Sequence, residues 1–168
     1  MYQTGLALWV PYYGTAINVP EAYPFLSQMA PALGSICDLR RKDLDYDSLR
    51  RLVAQWRQVA TNYYGDFYPL TPYVTTNDVW AAWQFDRPEA GEGMIQAFRR
   101  QQSPCELMRF QLQGLDPAAR YAVTNVDAVG HTELTGRELM EQGLPISLKK
   151  QPDAALILYK RVEPHRQK

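Results

Sequence analysis

The sequence predicts two kinds of architecture within one chain of 168 residues, an α/β part followed by an all-β part. Up to about residue 62, buried strand patterns alternate with helix patterns, as in a βαβα segment of an α/β protein. After Gly65, short strand patterns follow one another with turn residues between them, which favours an antiparallel β-sandwich. We therefore divide the chain into residues 1–65, residues 66–162 and a frayed tail at residues 163–168.

Two short apolar strands are predicted in the first part, at residues 5–10 and 35–39. Strands that are apolar on both faces belong to parallel sheets covered by helices. Between them, residues 21–33 form a weak helix pattern that contains Pro24 and Pro31. Pro24 fits the first turn of a helix, whereas Pro31 is expected to end or kink it.

The clearest helix pattern of the chain covers residues 45–60 and begins at Asp45 or Asp47. Its carboxylates lie at the end that the helix dipole favours, and Asn62 with Gly65 supplies the stop. Its apolar residues recur at steps of three and one and form a single stripe. These residues are Leu49, Leu52, Val53, Trp56, Val59 and Ala60.

The second part begins with a loop at residues 66–77 and continues as a series of short strands separated by turns. In the first strand Ala81, Trp83 and Phe85 share one face, and Trp80 points to the other. In the strand at residues 106–112 we expect Met108, Phe110 and Leu112 to face inward. The predicted strands are residues 78–86, 94–99, 106–112, 120–127, 132–134, 146–148 and 154–162, with a helical turn at residues 136–142.

Composition excludes several classes of function. Lys and Arg number 18 and Asp and Glu number 18, so no net charge attracts nucleic acid or an anionic membrane. Cys37 and Cys105 have no metal or redox spacing, and the pattern suggests no metal site and no cofactor. The apolar runs are too short to span a bilayer, and the first residues lack the features of a signal peptide. These features predict a cytoplasmic protein.

The sequence offers few catalytic candidates. His131 and His165 lack partners at a telling spacing, and GEG at residues 91–93 is a turn rather than a phosphate loop. Asp38 is the notable carboxylate because it follows an apolar strand, and strand ends carry the sites of α/β proteins. Two alternatives remain open for Asp38: it lines a site, or it caps the turn or pairs with Arg40 or Arg41.

Aromatic residues make up 12% of the chain, and ten of them lie in two clusters. Rings can line a sugar site, or they can join two layers of a protein. Near the start, Tyr12 and Tyr13 follow the first predicted strand and are candidates for a ligand wall, and we expect the second cluster to join layers. The first cluster comprises Trp9, Tyr12, Tyr13, Tyr23 and Phe25, and the second comprises Tyr63, Tyr64, Phe67, Tyr68 and Tyr73.

The order of several motifs resembles the C-terminal part of α-galactosidase-type glycoside hydrolases of family 36 or a close relative of the same clan. The stretches LALWVPYYG, PFLSQMAPALGSICDLR and LRRLVAQWRQVATNYYGDFYPL resemble the last two strand–helix units of that family's (β/α)8 barrel. DVWAAWQFDRPEAGEGMIQAFRR, LQGLDPAARYAVTNVD and LTGRELMEQGLPISL resemble the β-sandwich that follows the barrel. The resemblance extends from about Leu6 to Val162.

The resemblance implies a retaining hydrolase of α-galactosides or related oligosaccharides whose two catalytic aspartates precede this chain. No residue here is assigned a catalytic role, and the chain alone is expected to be inactive. Trp9, Tyr12 and Tyr13 would line the substrate pocket at the end of the seventh strand, and Asp38 would lie at the end of the eighth. The chain would then be a fragment, a split-gene product or a truncated protein, with the missing barrel part as a partner and oligomers possible.

Two further hypotheses compete with this one. The sandwich could be a stand-alone carbohydrate-binding or assembly module, which requires exposed coplanar rings, and Trp80 is its one obvious candidate. Alternatively, the chain could be a structural subunit that completes a barrel supplied by another chain.

Overall fold

The computed structural model describes residues 14–35 and 38–163. In the first part, β1 (Gly14–Ile17) and β2 (Ala32–Ser35) form a parallel pair joined by helix α1 (Ala22–Gln28). The pairing runs from Gly14 opposite Ala32 to Ile17 opposite Ser35. A strand–helix–strand unit therefore begins the described chain, as the sequence predicts.

The boundaries of this unit differ from the prediction. The strand predicted at residues 5–10 lies outside the described residues, and β1 lies where a loop was expected. The second strand was predicted at residues 35–39, whereas β2 already begins at Ala32, where it pairs with Gly14 of β1, and residues 36–37 lie outside the described residues. Helix α1 ends at Gln28 rather than near residue 33, with Met29 already extended. The reason is Pro31, which disfavours helical geometry at the residue before it.

The long helix forms as predicted. Helix α2 (Tyr46–Val59) is capped by Asp45, whose side chain accepts a hydrogen bond from the Ser48 amide at 2.9 Å. This bond satisfies one of the amide groups that the first helical turn leaves without a partner. A 3₁₀ turn (Ala60–Tyr64) follows and ends at Gly65.

The second part is a mainly antiparallel sandwich, which confirms the predicted class. Its large sheet has the strand order β3-β4-β5-β10-β7-β8, and its small sheet pairs β6 with β9. The loop predicted at residues 66–77 instead begins with β3, because Phe67 packs on Phe85 of β4 at 5.3 Å. The bounds are β3 (Asp66–Pro69), β4 (Trp80–Arg87), β5 (Glu92–Arg99), β6 (Leu107–Phe110), β7 (Arg120–Asn125), β8 (Thr132–Thr135), α3 (Gly136–Glu141), β9 (Leu144–Ser147) and β10 (Asp153–Arg161).

The large sheet is buried on both faces. One face packs on β6, β9 and α3 through a core that includes Phe110, Leu139 and Ile146. The other face packs on α1, α2 and the 3₁₀ turn through a second core that includes Phe25 and Leu52. The helices of the first part thus form the third layer of the molecule.

Strand β4 explains how one sheet serves two cores. Ala81, Trp83 and Phe85 face the helices, whereas Trp80 faces the small sheet, which confirms the predicted alternation. Trp80 is only 3% exposed, and its Nε1 donates to the carbonyl oxygen of Cys105 at 2.9 Å. Trp80 is therefore not the exposed sugar platform that the stand-alone binding hypothesis requires.

The aromatic cluster at the junction joins layers only in part. Tyr63 packs edge-on against Phe85 at 4.9 Å, and Phe67 packs on the same ring. Tyr64 and Tyr73 are exposed, so they contribute little to this contact.

A buried glutamine ties the helical layer to the sheet. Gln96 of β5 is 1% exposed, and its Oε1 accepts hydrogen bonds from Trp83 Nε1 at 2.8 Å and Tyr63 Oη at 3.2 Å. Its Nε2 donates to the carbonyl oxygen of Leu26 in α1 at 3.0 Å. Because buried polar groups are costly without partners, this network fixes α1 and the 3₁₀ turn in one position on the sheet.

Candidate functional site

The residues proposed to line a substrate pocket are only partly described. Trp9, Tyr12 and Tyr13 lie outside the described residues, so their placement stays a prediction. Asp38 is described and lies three residues beyond Ser35, the last described residue of β2. The end of the parallel strand pair therefore carries one of the four predicted site residues in a defined position.

Asp38 is an exposed carboxylate held by one neighbour. Arg40 donates to it from Nε at 2.9 Å, from Nη2 at 3.1 Å and from its backbone amide at 3.0 Å. The hydrogen bonds from the Arg40 side chain, followed by that from its amide, lower the pKa of Asp38. An ionised carboxylate of this kind accepts hydrogen bonds and is poorly suited to donate a proton. The pairing with Arg40 that the sequence left open is present, and a ligand contact stays a prediction.

A buried polar network that sequence reasoning missed lies on the other side of the large sheet. Asp86 of β4 is 3% exposed, and its Oδ1 accepts from the hydroxyl group of Tyr159 at 2.7 Å. The Tyr159 hydroxyl in turn accepts from Gln84 Nε2 at 2.8 Å. Gln84 also bonds both the amide and the carbonyl oxygen of Gln113, at 2.9 and 2.8 Å. The network therefore joins two strands and the turn at residues 113–116.

A signal for this network was present in the sequence. Gln84 and Asp86 continue the period-two face that begins with Trp80 and Ala82, and that face is buried. Two polar residues on a buried strand face indicate partners elsewhere in the chain. Sequence spacing alone does not identify Tyr159, which is 73 residues away.

The carboxyl group of Asp86 has an unusual environment. Burial raises its pKa, and the nearby carboxylates of Asp66 and Glu89 act in the same direction, while the hydrogen bond from Tyr159 lowers it. The folded protein therefore holds the Asp86 proton to a higher pH than the unfolded chain does.

This difference predicts a pH-dependent stability. The stabilisation from protonated Asp86 should be complete below the pKa of an unfolded aspartate, about 3.9, and lost as the pH rises through the folded pKa. Urea unfolding of the wild type and Asp86→Asn, at a series of pH values from 4 upward, measures it. The wild-type free energy of unfolding minus that of the variant should fall with rising pH. A difference that is constant or rises would contradict the assignment, and Asp47→Asn controls for loss of a surface carboxylate.

The described residues offer neither a metal site nor a helix that could span a membrane. Within residues 14–35 and 38–163 no cluster of three or more His, Cys, Asp and Glu side chains could hold a metal ion. None of the described helices has the length and apolar character needed to cross a membrane.

Comparison with known families identifies the sandwich. Residues 80–159, from the start of β4 into β10, match the model of the glycosyl hydrolase family 36 C-terminal domain. These residues form a family 36 C-terminal domain. The match confirms the family resemblance read from the sequence. No match was found among curated protein sequences.

Solved α-galactosidase structures share the fold of nearly the whole chain. The galactosidase domain of the α-galactosidase–sucrose kinase AgaSK superimposes with a TM-score of 0.73 at 18% identity, over 95% of this chain and 24% of its own. An α-galactosidase from Lactobacillus brevis superimposes with a TM-score of 0.69 at 17% identity, and the alignment covers 94% of this chain and 23% of that structure. The third structure is a variant of the family 36 α-galactosidase AgaA from Geobacillus stearothermophilus in complex with raffinose. Its TM-score is 0.67 at 21% identity, and the alignment covers 89% of this chain and 21% of that structure.

These alignments have two consequences. The shared fold extends beyond the family 36 domain into the α/β part, because 89–95% of this chain is covered. The chain spans less than a quarter of the length of each of these structures.

Proposed function

We propose that this chain supplies the C-terminal part of a retaining α-galactosidase-like glycoside hydrolase. In this proposal β1, α1, β2 and α2 belong to the closing units of a (β/α)8 barrel, and the family 36 domain supports them. The observation that carries it is the parallel β1–α1–β2 unit, which precedes α2 and the sandwich in the chain and packs on the large sheet. Parallel strands joined by a helix are the repeating unit of such barrels.

The packing supports a buttressing role for the sandwich. Phe25 and Leu26 of α1 are buried against the large sheet, and the carbonyl oxygen of Leu26 accepts a hydrogen bond from Gln96. Trp56 of α2 donates from Nε1 to the carbonyl oxygen of Ala30 at 2.9 Å, just before β2. The sandwich and α2 thus hold the helix and the connection that position the ends of β1 and β2. A barrel wall fixed in this way gives a substrate pocket a rigid side.

The chemistry would be carried by two aspartates of the remaining barrel. In a retaining mechanism, one carboxylate attacks the anomeric carbon while the other protonates the departing oxygen. The second then activates water, which releases the sugar from the first carboxylate. Asp38 does not suit the role of the acid, since Arg40 holds it in its ionised form, and the proposal assigns the nucleophile to the remaining barrel.

The contribution of this chain to the pocket would be contact with the sugar. Tyr12 and Tyr13, with Trp9, lie in the sequence just before β1, and Asp38 follows β2. A tyrosine presents an apolar ring face and a hydroxyl group, which together suit a sugar ring. The hydrogen-bonded Asp38 carboxylate would accept from a hydroxyl group of the substrate.

Substitution in the complete enzyme tests this wall. Tyr12→Phe, Tyr13→Phe, Tyr12→Ala and Tyr13→Ala should raise KM or lower kcat for an aryl α-galactoside. Loss of one hydrogen bond to the substrate corresponds to about a fivefold to tenfold change in kcat/KM. Tyr64→Ala, at an exposed position on the 3₁₀ turn, is the control. Wild-type kinetics for all four variants at Tyr12 and Tyr13 would show that these rings pack within the protein and do not contact the substrate.

A further inference from the structure

A small cavity lies beside the Asp86 network, at the end of the sandwich that carries the turns. Its volume is 300 Å³, and it lies between the β4–β5 turn, the turn at residues 113–116 and the end of β10. The lining residues used below are Asp86, Gly91, Gly114, Asp116, Tyr121 and Arg161. Neither the family comparison nor the proposed barrel wall assigns a role to this cavity.

Asp86 presents one unsatisfied oxygen at this cavity. Its Oδ1 is engaged by Tyr159, whereas its Oδ2 has no hydrogen-bond partner among the described residues. Asp86 is only 3% exposed and lines the cavity, so a water molecule or a ligand in the cavity can donate to Oδ2.

Glycine at position 114 keeps this oxygen accessible. Gly114 has φ +76°, and a Cβ there would lie 3.0 Å from Asp86 Oδ2 and 3.1 Å from the hydroxyl oxygen of Tyr68. Any larger residue would therefore cover the carboxylate as well as straining the turn. The turn exposes the acceptor on one side while Gln84 holds Gln113 in place on the other.

The remaining polar groups around the cavity are both donors and acceptors. Tyr121 accepts a hydrogen bond from the Asp116 amide at 3.1 Å through its hydroxyl oxygen, which leaves the hydroxyl hydrogen to be donated. Arg161 lies over Gly91, with its Nε 3.4 Å from the position of a Cβ there. The Arg161 side chain makes no ion pair with any residue in the described ranges, so its guanidinium can donate to a ligand.

The cavity continues into a wider groove. Asp116 and Arg161 also border a second depression of 690 Å³, which reaches the ion pair between Arg120 and Glu133. A ligand longer than one ring could therefore extend from Asp86 along this face of the sandwich.

We propose that the cavity beside Asp86 binds an uncharged, hydroxyl-rich ligand of the size of one sugar ring. Carboxylate acceptors at Asp86 and Asp116, with donors at Tyr121 and Arg161, match a ligand whose hydroxyl groups both donate and accept. A phosphate or another small anion would meet the two carboxylates at short range and is disfavoured. This inference does not rest on the proposed barrel wall, since it uses only residues of the sandwich.

Ligand-observed NMR and calorimetric titration of the purified chain test the proposal with methyl α-D-galactopyranoside and methyl α-D-glucopyranoside. We expect saturable, weak binding of at least one of the two. Arg161→Gln should weaken it about tenfold, because a hydrogen bond from a charged group is lost. Asp86→Asn should weaken it as well, with circular dichroism reporting that the fold is retained. Arg137→Gln, which replaces an exposed arginine of α3 outside the cavity, is the matched control and should bind as the wild type does.

Three results would overturn the proposal. One is the absence of saturable binding of either glycoside. A second is binding that survives both Arg161→Gln and Asp86→Asn, which would place the ligand elsewhere. The third is tighter binding of inorganic phosphate than of either glycoside. Tyr12→Ala and Tyr13→Ala distinguish this site from the proposed barrel wall, because binding beside Asp86 should be unchanged in both variants.

Discussion

Gly93→Ala is expected to unfold the sandwich or to lower its stability by at least about 3 kcal/mol. A Cβ at position 93 would lie 2.2 Å from the hydroxyl oxygen of Tyr159 and 2.4 Å from the carbonyl oxygen of Phe85. The carbonyl belongs to the neighbouring strand β4, so relief requires a shift of the sheet itself. Position 93 is where the Tyr159 side chain crosses β5 to reach Asp86, and glycine makes that crossing possible.

Thermal unfolding followed by circular dichroism measures this effect. For a chain of this length, a loss of 3 kcal/mol corresponds to a fall in Tm of about 6 to 12 °C. Gly34→Ala is the matched control, since it is also a strand glycine and its nearest contact would be an ordinary 3.5 Å. Equal Tm values for Gly93→Ala and Gly34→Ala would contradict the described packing of Tyr159 over β5.

The order of strands and helices could be predicted because each element carries its own local pattern. The stripe of α2 and its Asp45 cap, and the alternation through Met108 and Phe110, specify an element and its buried face without reference to the rest of the chain. The predicted and observed limits of α2 consequently agree.

Elements that depend on a distant partner were predicted poorly. Strand β1 forms by pairing with β2, and β3 forms because Phe67 packs on Phe85, so neither has a strong pattern of its own. Similarly, the alternation of β4 predicted that Trp80 and Trp83 lie on opposite faces of the strand. It did not predict that the small sheet covers Trp80. Both faces of the large sheet are buried because the small sheet packs on one and the helices on the other, and the pattern of a single strand does not report such contacts between layers.

The candidate site residues were also predicted only where their partners are close in the sequence. Asp38 was found because it follows a strand, a local feature, and its partner Arg40 is only two residues away. The network around Asp86 was missed because Tyr159 and Gln113 approach it through the tertiary fold. The pKa of Asp86 likewise depends on burial that no local pattern reports.

The second expected result concerns the hydrolytic activity of the chain alone. This chain purified alone is expected to show no hydrolysis of 4-nitrophenyl α-D-galactopyranoside above a heat-inactivated control. The reason is that a retaining mechanism needs two carboxylates on opposite sides of the scissile bond, one of them protonated. Asp38 is held as an ionised acceptor by Arg40 and is assigned to neither role. Turnover by the chain alone that disappears in Asp38→Asn would refute the assignment of catalysis to other parts of the barrel.

Reconstitution is the most direct measurement of the central claim, that this chain completes an α-galactosidase-like enzyme. The polypeptide encoded immediately upstream would be produced alone, mixed with this chain and joined to it, and the hydrolysis rate of 4-nitrophenyl α-D-galactopyranoside would be measured for each. We expect this polypeptide to contain six strand–helix units with the two catalytic aspartates, and we expect turnover to require both pieces. An upstream region without such units, or a folded assembly of both pieces that shows no turnover, would contradict it.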